Sequence, residues 1–113
     1  MEQNQISSSD VMNRIAQQIK ETPVILYMKG TAQTPMCGFS SVVVQVLSRL
    51  NVPFQDVNVL EDPEIREGIK AYTNWPTIPQ LYIQGEFIGG CDIVREMYSS
   101  GELEALLKEK NII

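Results

Sequence analysis

The amino-acid sequence predicts an α/β fold in which a small mixed sheet is flanked by helices. One observation is the apolar run Val24 to Met28, which does not alternate and so reads as a strand covered on both faces. A second is that segments with apolar spacing of three and four residues alternate with short strand-like runs. A third is the pair of strands around Gln84-Gly85-Glu86, which closes the pattern as a hairpin with a turn glycine. The chain has 113 residues, enough for one domain with one interior.

Each element has its own signal. A polar, flexible leader over residues 1–9 precedes a single domain over 10–113. The first helix has Ser9 or Asp10 to cap it and Val11, Ile15 and Ile19 as its buried stripe, and Pro23 breaks it. After the strand Val24 to Met28, Lys29-Gly30 ends the run and a polar loop, Thr31 to Met36, carries Pro35. A second helix follows from about Gly38 to Leu50, with Val42, Val43, Val46, Leu47 and Leu50 on one face. Its β-branched residues oppose a helix by propensity, but their spacing decides for one. Phe54 to Val59 reads as another strand. Asp62-Pro63-Glu64 starts a third helix with a capping carboxylate, a first-turn proline and acids at the positive dipole end. That helix turns Ile65, Ile69 and Tyr72 inward and holds Arg66 and Lys70 on its polar side. Trp75-Pro76-Thr77-Ile78-Pro79-Gln80 excludes helix, and Leu81 to Ile83 with Phe87-Ile88 forms the hairpin. Gly89-Gly90 leads into a helix starting near Cys91-Asp92, with Ile93, Val94 and Met97 as its apolar residues. Gly101 separates it from a last helix, Glu102 to Lys110, built on Leu103, Leu106 and Leu107.

Composition excludes several function classes. Nine basic and fourteen acidic residues give a net charge of −5 without a Lys/Arg cluster, which argues against a nucleic-acid partner. There is no histidine, which removes Ser-His-Asp and Cys-His nucleophiles and the HExxH zinc site. No apolar run is long enough to span a bilayer, and the first residues show no signal- or transit-peptide pattern. A cytoplasmic protein is expected, in a bacterium because the chain begins almost directly at the domain. Two cysteines, Cys37 and Cys91, cannot build a four-thiolate metal site alone.

Cys37 follows a strand and a loop and stands at the first turn of a helix, where unpaired amides lower a thiol pKa. Lys29 is placed to add positive charge. Ser40 stands where a C-x-x-C pair has its second cysteine, so this centre has one thiol and cannot resolve a mixed disulfide by itself. Two readings stand: an open reactive site, favoured by the glycine and serines around it, and a buried structural cysteine. Cys91 either approaches Cys37 or is inert, and the inert reading is preferred. Trp75 belongs to the interior or to a groove. A cis bond at Pro79 would leave backbone groups for an extended ligand, and a plain loop proline is the alternative. Arg66 and Lys70 are either a solvated helix face or, with Lys29, a carboxylate clamp. The acids Glu61, Asp62, Glu64 and Glu67 read as a solvated helix start.

Together, Cys37-Gly38-Phe39-Ser40, Trp75-Pro76-Thr77-Ile78-Pro79-Gln80 and Gly89-Gly90-Cys91-Asp92 closely resemble the single-domain monothiol glutaredoxins of the CGFS type. The likeness runs from about Val11 to Leu107, with the motifs in register with Lys29-Gly30. It implies a thioredoxin-like fold with Pro79 as the cis-proline. It implies glutathione in a groove beside Cys37, bordered by Gly38, Phe39 and Thr77. Lys29 and Arg66 would hold the glycine carboxylate, the Ile78 backbone the cysteinyl part, and Cys91 and Asp92 the γ-glutamyl end. It also implies a 2Fe–2S cluster shared by two protomers, ligated by Cys37 of each and by two glutathione thiolates. Iron–sulfur storage and transfer, with BolA-type partners and recipient proteins, would be the main role. Glutathione-dependent thiol–disulfide exchange through Cys37 is the alternative. One departure is Ala32, where many members have a further proline, and it predicts a looser loop.

Overall fold

The computed structural model describes residues 8–113, with side chains described from Asp10 onward. The elements are α1 (Ser8–Glu21), β1 (Val24–Met28), α2 (Gly38–Arg49), β2 (Gln55–Asn58), α3 (Pro63–Thr73), β3 (Gln80–Ile83), β4 (Glu86–Gly89), α4 (Cys91–Ser100) and α5 (Glu102–Glu109). A short 3₁₀ turn, Val59–Glu61, joins β2 to α3.

The sheet has the order β2-β1-β3-β4. β1 pairs in parallel with β2, through a crossover that contains α2, and antiparallel with β3, which in turn pairs antiparallel with β4. This is the small mixed sheet expected. Its two faces are both covered. On one side Val24, Leu26, Met28, Leu81 and Ile83 pack with Val43 and Leu47 of α2, Val94 of α4, and Leu103 and Leu107 of α5. On the other, Ile25, Tyr27 and Tyr82 pack with Val11, Ile15 and Ile19 of α1 and Ile65 and Ile69 of α3.

Local chemistry explains the boundaries. The Ile65 N–H donates to Asp62 Oδ1 at 3.2 Å, so Asp62 caps α3 as its sequence suggests. Asn74 ends that helix in the left-handed region at φ 57°. The hairpin turn has positive φ at Gln84 and Gly85, the pattern that matches strand twist.

Three details differ from expectation. Ser9 and Asp10 lie inside α1 rather than capping it, because the helix already includes Ser8. Residues 1–7 of the expected leader lie outside the described residues. β2 spans only Gln55–Asn58, because Val59 is drawn into the interior at the start of the 3₁₀ turn. Tyr72 is 40% exposed, because it lies in the last turn of α3 and packs edge-on against Tyr82 at 6.5 Å. The tight contact on this helix is instead Gly68, where a Cβ would come within 2.5 Å of Val11 Cγ1.

Gly30 turns the chain back after β1. Its φ is +88°, and a Cβ there would meet Met36 N and Thr34 O at 2.5 Å. Gly85 has a similar φ, +84°, but open space around it. Gly85→Ala is therefore expected to cost about 1 kcal/mol from the backbone alone, and Gly30→Ala about 2 kcal/mol or more once the clash is added. Urea midpoints of the two variants check this, and an equal or reversed ranking would refute the packing argument.

Candidate functional site

The end of β1, the loop after it and the start of α2 form one side of a groove. The Lys29 N–H donates to Ser40 Oγ at 3.2 Å, and Ser40 is fully buried. The Gly30 N–H donates to Asn58 Oδ1 at 2.9 Å, and the Ala32 N–H to Asp56 Oδ2 at 2.8 Å. Met36 N–H returns to Lys29 O at 2.9 Å. The loop expected to be loose is thus tied to β2. Proline at position 32 would have no N–H to give Asp56, so ring stiffness is exchanged here for a hydrogen bond.

Cys37 is the residue before α2, in an extended conformation at φ −154°. Its thiol is half-buried and free. The Ser40 backbone N–H lowers its pKa most, and the Phe39 N–H, the Lys29 charge and the Ser40 hydroxyl act in the same direction. Partial burial opposes them without reversing the outcome.

The groove encloses about 520 Å³, within the roughly 300–1,000 Å³ usual for small-molecule sites. Lys29, Cys37 and Phe39 line it from β1 and α2, and Arg66 and Lys70 from α3. Trp75, Pro76, Thr77, Ile78 and Pro79 line it from the segment before β3, and Gly90, Cys91, Asp92 and Ile93 from the start of α4. Every residue expected to bind glutathione lies on this groove except Gly38, which is the first residue of α2 but does not line it; Ser40 lies buried behind it. Trp75, open between interior and groove, lines the groove while packing on Phe87 at 5.7 Å. The Ile78–Pro79 bond is cis, and the Ile78 N–H has no partner among the described residues. A Cβ on Gly90 would come within 3.1 Å of Pro79 O, so glycine lets α4 begin close against this segment.

Charge in the groove is unbalanced. Lys29 and Arg66 form no ion pair among the described residues. Lys70 meets Glu67 at 3.2 Å, but Glu67 is mostly exposed, and such a pair contributes about 0–1 kcal/mol. A carboxylate entering the groove would find two cations that no described acid already holds.

Cys91 behaves oppositely to Cys37. It is 8% exposed and free. Burial raises its pKa, the charges of Asp92 and Cys37 add to that, and Arg95 opposes it.

Three positioning groups escape a reading of the sequence: Asp56, Asn58 and Gln80. Gln80 is fully buried. Its Nε2 donates to Trp75 O at 3.0 Å and Thr77 O at 3.2 Å, while its Oε1 accepts from Tyr82 OH at 2.7 Å and Thr73 Oγ1 at 3.2 Å. For Gln80 the available signals were its place at the end of the Trp75–Gln80 motif and an amide at the head of an otherwise apolar strand.

Comparison with known proteins adds the following. The family model described as glutaredoxin matches residues 24–88. The chain is 56% identical over 94 residues to a probable monothiol glutaredoxin 2 of Rickettsia conorii, covering 83% of this chain and 88% of that one. It is 50% identical over 109 residues to the mitochondrial monothiol glutaredoxin-5 of Schizosaccharomyces pombe, covering 94% and 75%. Reduced apo GrxS14 of poplar superposes with a TM-score of 0.80 at 47% identity, covering 93% of this chain and 96% of that one.

The two thiols should separate by pH. A lowered pKa populates the thiolate at lower pH, so Cys37 in a Cys91→Ser background is expected to alkylate with a midpoint below that of an ordinary exposed thiol. In a Cys37→Ser background the midpoint of Cys91 is expected above it. Ser40→Ala should raise the Cys37 midpoint only part of the way, because the backbone N–H groups remain. Iodoacetamide rates against pH measure all three, and equal midpoints for the two cysteines would contradict the electrostatic account.

Proposed function

The chain belongs to the glutaredoxin family, and on that premise we propose that it is a monothiol glutaredoxin that binds glutathione and, with a second copy, carries a bridging 2Fe–2S cluster. The observation that carries this reading is one accessible thiol of lowered pKa beside two cations, Lys29 and Arg66, that no described acid occupies. Glutathione offers what such a groove lacks, namely a carboxylate for the cations, a peptide backbone for Ile78, and a thiol to place beside Cys37.

In this reading Lys29 and Arg66 hold the glycine carboxylate, and the Ile78 N–H pairs with the cysteinyl residue. Cys91 and Asp92, in the first turn of α4, receive the γ-glutamyl end through backbone amides, a role that does not use the Cys91 thiol. Phe39, Thr77 and Pro79 close the groove around the ligand, and Gly38 keeps the start of α2 clear of a side chain. The cluster is cargo. Among the described residues no group of three or more Cys, Asp or Glu is placed to hold a metal ion. One Cys37 from each of two protomers and one thiol from each of two glutathiones supply the four thiolates such a cluster takes. Exchange of these ligands would pass the cluster to recipient proteins, with a BolA-type protein as a further partner.

A second reading, glutathione-dependent reduction of mixed disulfides, is favoured by the lowered pKa of Cys37. Its thiolate would attack the glutathione sulfur of a mixed disulfide and release the protein thiolate. A second glutathione thiolate would then attack the Cys37–glutathione disulfide, giving oxidised glutathione and free Cys37. Ser40 cannot perform that second attack. No described helix is long and apolar enough to cross a membrane. The relatives include a bacterial and a mitochondrial protein, and the cytoplasm is the setting proposed here.

Anaerobic reconstitution with iron, sulfide and glutathione tests the proposal. A visible charge-transfer band on a dimer is expected, lost when glutathione is removed. Cys37→Ser should abolish the band and Cys91→Ser should keep it. A colourless monomer that turns over mixed disulfides would replace the carrier reading with the exchange reading. Arg66→Gln should weaken glutathione binding about tenfold, measured by calorimetry on the apoprotein, and wild-type affinity in that variant would remove Arg66 from the site.

A further inference from the structure

We infer that Gln80 is a positioning residue whose buried amide holds the Trp75–Thr77 segment in place and so sets the affinity of the groove independently of the reactivity of Cys37. This rests on the proposed binding of glutathione.

A primary amide can give two hydrogen bonds and accept two. Gln80 uses both donors and accepts from Tyr82 OH, while the Thr73 hydroxyl lies 3.2 Å from its oxygen and shares its one proton with Ile69 O at 3.0 Å; Gln80 itself has no solvent contact. Both donors go to carbonyls of the groove segment, Trp75 O and Thr77 O. The amide oxygen points to the interior, where it accepts from Tyr82 OH at 2.7 Å, and this fixes which way the amide faces.

The segment has few other means of holding its shape. Pro76 and Pro79 have no N–H. Apart from Trp75 N–H to Lys70 O at 3.1 Å, the Gln80 bonds are the only hydrogen bonds made by residues 75–79 among the described residues. Yet this segment lines the groove with Trp75, Thr77 and Ile78. With the amide gone, the Trp75 and Thr77 carbonyls lose this donor, a buried polar position is emptied, and the segment is free to shift. The Cys37 side rests on other groups, since its thiol is tuned by Ser40, Phe39 and Lys29 and not by Gln80.

The test compares wild type with Gln80→Met, which keeps length and loses every hydrogen bond, and with Tyr82→Phe, which removes one donor to the amide oxygen. Three quantities are measured on each apoprotein: glutathione affinity by calorimetry, emission of Trp75, the single tryptophan, and the alkylation midpoint of Cys37. Gln80→Met is expected to bind glutathione roughly tenfold more weakly, with shifted Trp75 emission and an unchanged Cys37 midpoint. Tyr82→Phe should show a smaller loss in the same direction. Wild-type affinity in a folded Gln80→Met overturns the inference, as does a Cys37 midpoint that moves with affinity. If Gln80→Met does not fold, Tyr82→Phe decides, and unchanged affinity there overturns it. A wild-type protein that binds no glutathione overturns the glutathione reading and this inference together, whereas normal wild-type binding with unaffected variants overturns this inference alone.

Discussion

Val24, Leu26 and Met28 face one interior and Ile25 and Tyr27 face the other, so a single five-residue strand is shared by both halves of the hydrophobic core. β1 has no exposed residue, and it is paired along both edges. Its end is therefore among the least movable points of the molecule, and the groove is built there. Lys29 is the next residue in the chain. β3 runs antiparallel to β1 with Gln80 opposite Tyr27, so the segment that enters β3 is delivered to the same end. Cys37 and the Trp75–Pro79 segment lie some forty residues apart in the sequence, and the sheet register brings them to one groove.

The two cysteines show how little a helix start decides by itself. Both stand at one, and both line the groove. Cys37 precedes its helix in an extended conformation, and the N–H groups of Phe39 and Ser40 stabilise its thiolate. Cys91 is already inside the first turn of its helix, and burial is the largest influence on its thiol. Desolvation outweighs the Arg95 charge for one and loses to hydrogen bonding for the other. Opposite protonation preferences thus coexist within one cavity.

Features encoded over a few residues were legible in the sequence. The Asp62 cap, the Gln84-Gly85 turn, the unbroken apolar strand and the α2 stripe all follow from chemistry spanning one or two turns of chain. α2 forms despite three consecutive valines because Val43, Val46 and Leu47 have a core to fill. The motif residues of the site were legible too, since each stands next to a proline, a glycine or an element boundary. What the sequence hid is the support behind them. Asn58 reaches Gly30 across 28 positions and Asp56 reaches Ala32 across 24, and no periodicity marks such partners. The expectation about Ala32 could not include this tether: side-chain stiffness is visible locally, and a hydrogen bond from another strand is not. Tyr72 shows the converse, a residue with the right spacing on a helix that ends as its ring reaches Tyr82.

Serine at position 40 leaves each chain with one accessible thiol, and mass action then governs any four-thiolate assembly it joins. Two chains and two small thiols must meet, so the population of the assembly varies with the square of each concentration. Halving the protein would lower it about fourfold, and halving the free thiol about fourfold again. A chain with two accessible thiols would need no such recruits and would be far less responsive to supply. In such an assembly the missing second sulfur would make loading a steep readout of how much chain and how much reduced thiol the compartment contains.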